Sequence, residues 1–150
     1  MVTPQMLAQA SLFEGLTEEQ LKAVADIAEE VTCQHGEVLF WEGDPAEWLY
    51  ILLEGEINIF VKLSSRPERV TLSVLNQPYQ TLAWSGLVAP NIYTASALCE
   101  TDCRLVEIDG QALMKLLEQD RDMGFIVMRR IAEVISSRMR NTRFAFMKTL

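Results

Sequence analysis

The chain has 150 residues, 49% of them apolar and 23% charged, with a formal net charge of −8 at pH 7. That length and apolar fraction describe one domain with its own core and exclude intrinsic disorder. No run approaches the ~18 apolar residues of a membrane span, and no basic-then-apolar leader opens the chain, so a cytoplasmic protein without a membrane partner is expected.

Cys33, Cys99 and Cys103 are sparse and odd in number, as reduced thiols would be. The charge is uneven. Residues 1–120 carry a balance of −13, whereas residues 121–150 carry +5 from six arginines and Lys148 against Asp122 and Glu133. An acidic chain does not suit a nucleic-acid partner. The basic segment is expected to form a solvated helix face or to meet an acidic surface.

Residues 1–30 read as a helical arm. Leu12-Phe13 and Gly15-Leu16 form an apolar anchor, and Thr17-Glu18-Glu19-Gln20 is a capping box followed by Leu21, Val24, Ala25 and Ala28 at helical spacing, with Ile27 at the edge of that stripe. Residues 31–109 change to short strands. Val38–Trp41 stops at Gly43-Asp44-Pro45, Trp48–Leu53 runs into Glu54-Gly55, and Ile57, Ile59 and Val61 alternate with Asn58, Phe60 and Lys62. A polar loop at Ser64–Glu68 precedes alternating Val70, Leu72 and Val74, and Tyr93–Cys99 and Cys103–Ile108 complete the set. Short strands at this spacing predict a mainly β domain, a jelly roll with flanking helices.

Residues 110–150 return to helix, short over Gln111–Leu117 and long from Arg121. Val127, Met128, Ile131, Val134, Ile135 and Met139 share one arc of the long helix, broad enough to pack on the roll and pair with a second copy. Arg138 and Thr142 interrupt that arc. A homodimer through these six residues is expected.

Gly36-Glu37-Val38-Leu39-Phe40, then Glu42-Gly43-Asp44-Pro45-Ala46-Glu47, then Leu49-Tyr50-Ile51-Leu52 with Gly55, resemble the early strands of the cyclic-nucleotide-binding domain family, as in catabolite-activator-type effector domains. Cys103–Asp109 resembles its last strand. The resemblance spans about residues 11 to 140 and implies a double-stranded β-helix between a helical arm and a long terminal helix. It also places a ligand pocket at Ala83, Trp84, Ser85, Gly86, Leu87, Tyr93, Thr94 and Ala95.

The family's phosphate cassette has a Glu and, after a spacer, an Arg. Here Trp84 and Tyr93 stand at those places, and Tyr79 and Ala83 replace two glycines. A Tyr hydroxyl cannot replace the charge-assisted pair an Arg makes with a cyclic phosphate. An indole has one donor and no acceptor, so Trp84 cannot receive a ribose hydroxyl as a Glu does. Cyclic AMP or GMP bound in the usual way is therefore disfavoured, and no cofactor is expected.

Other chemistry finds little support. Only one His exists, so a cupin-type metal site cannot be built, and zinc at Cys99 and Cys103 would need Cys33 and His35 as well. A redox pair at Cys99 and Cys103 competes with the commoner reading of small buried thiols. There is no phosphate-binding Gly-rich loop and no nucleophile elbow, so no catalytic residue and no enzyme is expected. No helix-turn-helix follows the long helix, which leaves dimer geometry or a partner protein as the output, with Phe144, Phe146 and Met147 as candidate contacts.

The sequence thus predicts a stand-alone regulatory or sensor domain that does not bind cyclic nucleotide in the usual way; Trp84 and Tyr93 facing one cavity would admit a neutral or aromatic small-molecule effector. One alternative is a ligand-free interaction or scaffold protein whose pocket is filled by its own side chains. The other is a true cyclic-nucleotide binder with a substitute cation such as Arg138.

Overall fold

The computed structural model describes residues 1–65 and 67–149. Arg66, within the expected Ser64–Glu68 loop, and Leu150, at the end of the expected terminal helix, lie outside them. Helices α1 (Pro4–Leu7) and α2 (Glu18–Ala25) form the arm. Strands β1 (Ala28–Cys33), β2 (Val38–Phe40), β3 (Trp48–Glu54), β4 (Ile57–Lys62), β5 (Arg69–Leu75), β6 (Thr81–Leu82), β7 (Ser96–Cys99) and β8 (Cys103–Asp109) form the roll. Helices α3 (Gly110–Gln119) and α4 (Arg121–Thr149) follow. The strands make two antiparallel sheets, ordered β1-β8-β3-β6 and β2-β7-β4-β5, the jelly roll expected from the sequence.

Strands β3 and β8 are apolar on both faces because each face closes a different core. Leu49 and Ile51, with Val106 and Ile108, meet the helices: Leu12, Phe13, Val24, Leu113, Val127 and Ile131 pack there. The alternate residues, Tyr50 and Leu52 with Leu105, turn into the roll against Ile57, Leu75, Leu82 and Ala97. The period of two along a strand makes this division possible.

The arm begins its second helix as the capping box predicts: the Gln20 amide donates to Thr17 Oγ1 at 3.2 Å and the Thr17 amide to Gln20 Oε1 at 2.9 Å. Gln20 Nε2 also donates to Asp120 Oδ2 at 2.8 Å, fastening the arm to the start of α4. The helical stripe does not extend to Ala28 as its spacing suggests. Helix α2 ends at Ala25, and Ala28 opens β1 opposite Ile108, because pairing with β8 satisfies that backbone in the sheet.

Two further expectations shift. The β4–β5 register shifts between Ile59 and Phe60, where Leu72 is the extra residue of β5; Ile59 stays with the roll core at the cavity wall, and Phe60, on the other face, is buried against Trp41 and Arg69. On β5 the same irregularity leaves Ser73 buried and Val74 exposed. Tyr93 to Ala95 do not continue β7. The Tyr93 backbone instead pairs with the Gly43-Asp44 turn, donating to Asp44 O at 3.0 Å and accepting from the Gly43 amide at 2.8 Å.

The thiol expectation is corrected for two cysteines. Cys33 on β1 and Cys99 on β7 form a disulfide with Cα atoms 6.5 Å apart, while Cys103 remains a buried thiol that burial pushes above its usual pKa. The two halves are 66 residues apart in the chain and lie in different sheets, so their spacing carried no hint of the pairing. Alkylation in denaturant without reductant should label Cys103 alone, and all three cysteines after reduction; three labelled thiols at the outset would exclude the bond. Reduction removes a long loop constraint and should lower stability by about 4 kcal/mol on the chain-entropy estimate.

Gly86 and Gly110 bring three segments together backbone to backbone. A Cβ on Gly86 would stand 2.9 Å from the Trp48 carbonyl oxygen, one on Gly110 would collide with the Gly86 carbonyl, and the Gly110 amide donates to Glu47 O at 2.9 Å. Gly110→Ala should therefore destabilise the domain by about 1–3 kcal/mol. Urea unfolding measures this, and an unchanged midpoint would mean the segments part freely.

Candidate functional site

A cavity of about 320 Å³ lies between β4 and β5, the residues around the 84–86 turn, the segment 93–95, and α4. Its volume sits at the lower end of small-molecule pockets, which run ~300–1,000 Å³. The wall is mainly apolar, with Phe40, Ile59, Leu72, Leu82 and Ile135 among its residues. It has not been filled by Trp84 and Tyr93.

The backbone frame of the cassette persists without its glycines. Tyr79 and Ala83, at the positions where the resemblance expects glycine, have φ of +69° and +67°. Left-handed backbone costs a non-glycine residue ~1–2 kcal/mol. It is held here by neighbouring contacts: the Tyr79 amide donates to Leu52 O at 2.6 Å, and Ala83 O accepts from the Gly86 amide at 3.1 Å. Trp84 leaves this turn half-buried at the cavity wall.

Tyr93 is not a polar substitute for an arginine. Its hydroxyl donates to Trp48 O at 3.0 Å, and its ring stacks on Phe40 with centroids 4.0 Å apart. Burial pushes its pKa up to about 12, so it is neutral at physiological pH. The residue supplies the cavity with an aromatic surface whose polar end is already satisfied by main chain.

The cation comes from the terminal helix. Arg138 extends from α4 into the wall, where Nη2 donates to Thr81 O at 2.9 Å and the guanidinium stands over the Trp84 ring, 5.8 Å from its centroid. Burial lowers its pKa to about 10, which leaves it charged at neutral pH. Asn141 Nδ2, one turn on, donates to Ser73 Oγ at 3.0 Å and ties α4 to β5. Arg143 and Thr142 complete that side.

Of the residues expected at the pocket, Ala83, Trp84, Ser85, Tyr93, Thr94 and Ala95 line the cavity. Gly86 and Leu87 do not: Gly86 lies against the Trp48 backbone, and Leu87 turns into the helix-side core. The walls from β2, β4 and β5 were missed in sequence, because a strand's inward positions do not reveal which cavity they face. The intrusion of Arg138 and Thr142 into the apolar arc of the long helix was the available signal for the α4 wall.

That arc also needs correcting as a dimer surface. Val127 and Ile131 are 0% and 1% exposed, inside the chain's own core, and Met128 and Ile135 lean against the same core. A second copy cannot reach the first two. Val134 is half-buried, and of the six only Met139, 67% exposed, is an open surface residue. Among the described residues no group of three or more His, Cys, Asp or Glu side chains is placed to hold a metal, and no helix is long and apolar enough to cross a membrane.

A guanidinium in an apolar wall without a counter-charge destabilises the ligand-free domain, so Arg138→Met should leave stability equal or higher. Chemical denaturation decides this; a loss above about 1 kcal/mol would show that the bond to Thr81 O outweighs the desolvation.

The family model for the cyclic nucleotide-binding domain matches residues 30–120. A CRP-like cAMP-activated global transcriptional regulator of Mycobacterium tuberculosis is 25% identical over 138 residues, covering 92% of this chain and 59% of the relative, so the chain spans well under two thirds of that protein. A crystal structure of a Geobacter metallireducens protein assigned to the cyclic nucleotide-binding class has 32% identity and a TM-score of 0.81, covering 93% of this chain and 99% of that one. The regulatory subunit of a cAMP-independent protein kinase A from Trypanosoma brucei shares the fold, with a TM-score of 0.77 at 16% identity over 97% of this chain and 50% of that one. With the matched segment running from within β1 to just beyond α3, the chain belongs to the cyclic nucleotide-binding domain family.

Proposed function

We propose that the chain is a non-catalytic, cytoplasmic sensor domain whose effector occupies the cavity beneath Trp84 and is not cyclic AMP or GMP held in the usual way. The observation that carries this reading is the open apolar cavity at the family's cassette, in which Tyr93 and Trp84 occupy the places of the Arg and Glu. An anion set against Tyr93 would meet an aromatic ring whose hydroxyl is already donated to Trp48 O. The fold is shared by the regulatory subunit of a cAMP-independent protein kinase A.

A second reading keeps the cyclic nucleotide and has Arg138 replace the cassette arginine; its support is the position of that guanidinium in the wall. A thermal-shift titration separates the two. Ligand at ~100 times its Kd adds ~2.7 kcal/mol of stability. Millimolar cyclic AMP and cyclic GMP should leave the melting temperature unchanged while small aromatic compounds raise it. A nucleotide-induced rise would establish the second reading, and no rise with any compound would leave a ligand-free interaction domain.

The output proposed is a homodimer through α4. With Val127 and Ile131 spent on the core, the exposed row is Phe125, Ala132 and Met139, seven residues apart, with Met128 and Ile135 between them. Apolar side chains at this heptad spacing over two repeats form a seam that matches a copy of itself. Ile135 and Met139 lie both on this row and on the cavity wall, so an effector and a second helix would share side chains. Light scattering should give the mass of two chains for the wild type and of one for a Phe125→Glu, Ala132→Glu double variant. A monomeric wild type would remove the dimer from the proposal.

A further inference from the structure

The chemistry of the cavity wall specifies its occupant more closely. In a chain with 21 acidic and 13 basic side chains, the wall carries two arginines, Arg138 and Arg143, and no acid. Arg104 pairs with Glu30 and Glu54, and Arg130 lies 3.5 Å from Glu14 and 3.3 Å from Glu133. Arg69, Arg121, Arg140 and Arg143 have no ion pair among the described residues, but each is exposed to solvent, whereas Arg138 is half-buried. Arg138 has no such ion pair among the described residues, and its hydrogen bond to Thr81 O uses one of five N–H donors. An indole face stands beneath the guanidinium.

Resting on the ligand-site reading above, we infer that the effector is a small amphipathic anion, an aromatic or similarly apolar body bearing one carboxylate or comparable acid, with its acid taken by Arg138 and its body set among Phe40, Leu72, Leu82 and Trp84. The depressed pKa of Arg138 agrees with a charge that awaits a partner, since an anion would restore the lost solvation. A neutral ligand would leave that charge uncompensated, and a strongly polar one would leave its own groups without partners against these walls. Arg143 at the exposed rim adds attraction for the same sign.

Two fluorescent probes share one hydrocarbon and differ in charge: 1-anilinonaphthalene-8-sulfonate is an anion, and N-phenyl-1-naphthylamine is neutral. Titrated into the wild-type chain, the anion should bind about ten-fold tighter or better. Arg138→Gln should remove that preference while changing the neutral probe's affinity less than about three-fold, and Arg138→Lys should retain most of it. Ala95→Phe, which blocks the cavity, should abolish both signals, and circular dichroism verifies that each variant is folded.

Equal binding of the two probes, unaffected by Arg138→Gln, would overturn the anion assignment and leave the ligand site standing. Binding of neither probe, or a signal that survives Ala95→Phe because it arises on the exposed helix row, would overturn the ligand site and the anion together.

Discussion

Strands β3 and β8 are buried on both faces, and the rest of the architecture depends on this. One face requires helices to cover it, which explains why the arm, α3 and the first half of α4 share a core with Leu49, Ile51, Val106 and Ile108. The other face requires the second sheet, and that demand rolls the chain into a closed form. A sheet covered by helices on one side and by another sheet on the other fixes the direction in which α4 leaves the domain. Buried Met123, Val127 and Ile131 hold the beginning of the helix, and its later turns extend along β5.

The division of α4 follows from geometry. Its first turns spend Met123, Val127 and Ile131 on the helix-side core and leave Phe125 exposed, so none of their apolar residues lines the cavity. Farther along, the face that continues this stripe carries Arg138 rather than another aliphatic residue, and the helix meets the roll through polar bonds from Arg138 to Thr81 O and from Asn141 to Ser73. A helix attached to the roll by hydrogen bonds across a cavity separates more easily than one attached by interdigitated side chains, because water can replace the former. The same helix is therefore held by apolar packing at one end and by hydrogen bonds across a cavity at the other.

What could be read from the sequence divides along the same line. The capping box at Thr17, the turn glycines and the apolar run of β3 are local signals, and the fold conforms to them. Pairings between distant segments were not legible: the Cys33–Cys99 bond joins two sheets, and the shift at Leu72 that turns Ser73 inward is set by the pairing of β5 with β4. The cassette segment was found through its resemblance, yet the residues that complete the cavity came from β2, whose family pattern marks the fold and not the cavity, and from β4, β5 and α4. Arg138 was visible as a charge out of place in an apolar arc. Whether such a charge reaches solvent or a cavity depends on the crossing of α4 over β5, which no helical wheel contains.

Tyr79 and Ala83 supply the last step. Both keep a left-handed backbone that would suit glycine better, so the path of the chain around the cavity was retained at the expense of local strain. Main-chain bonds from the Tyr79 amide to Leu52 O and from the Gly86 amide to Ala83 O hold that turn, which sets Trp84 at the wall of an open cavity beside the Arg138 guanidinium of α4. A cation on the roll would hold an anion without involving α4. On the proposed reading, a cation carried by α4 rather than by the roll would couple occupancy to the position of that helix, because a bound anion would add a contact between two elements joined by the bonds from Arg138 to Thr81 O and from Asn141 to Ser73.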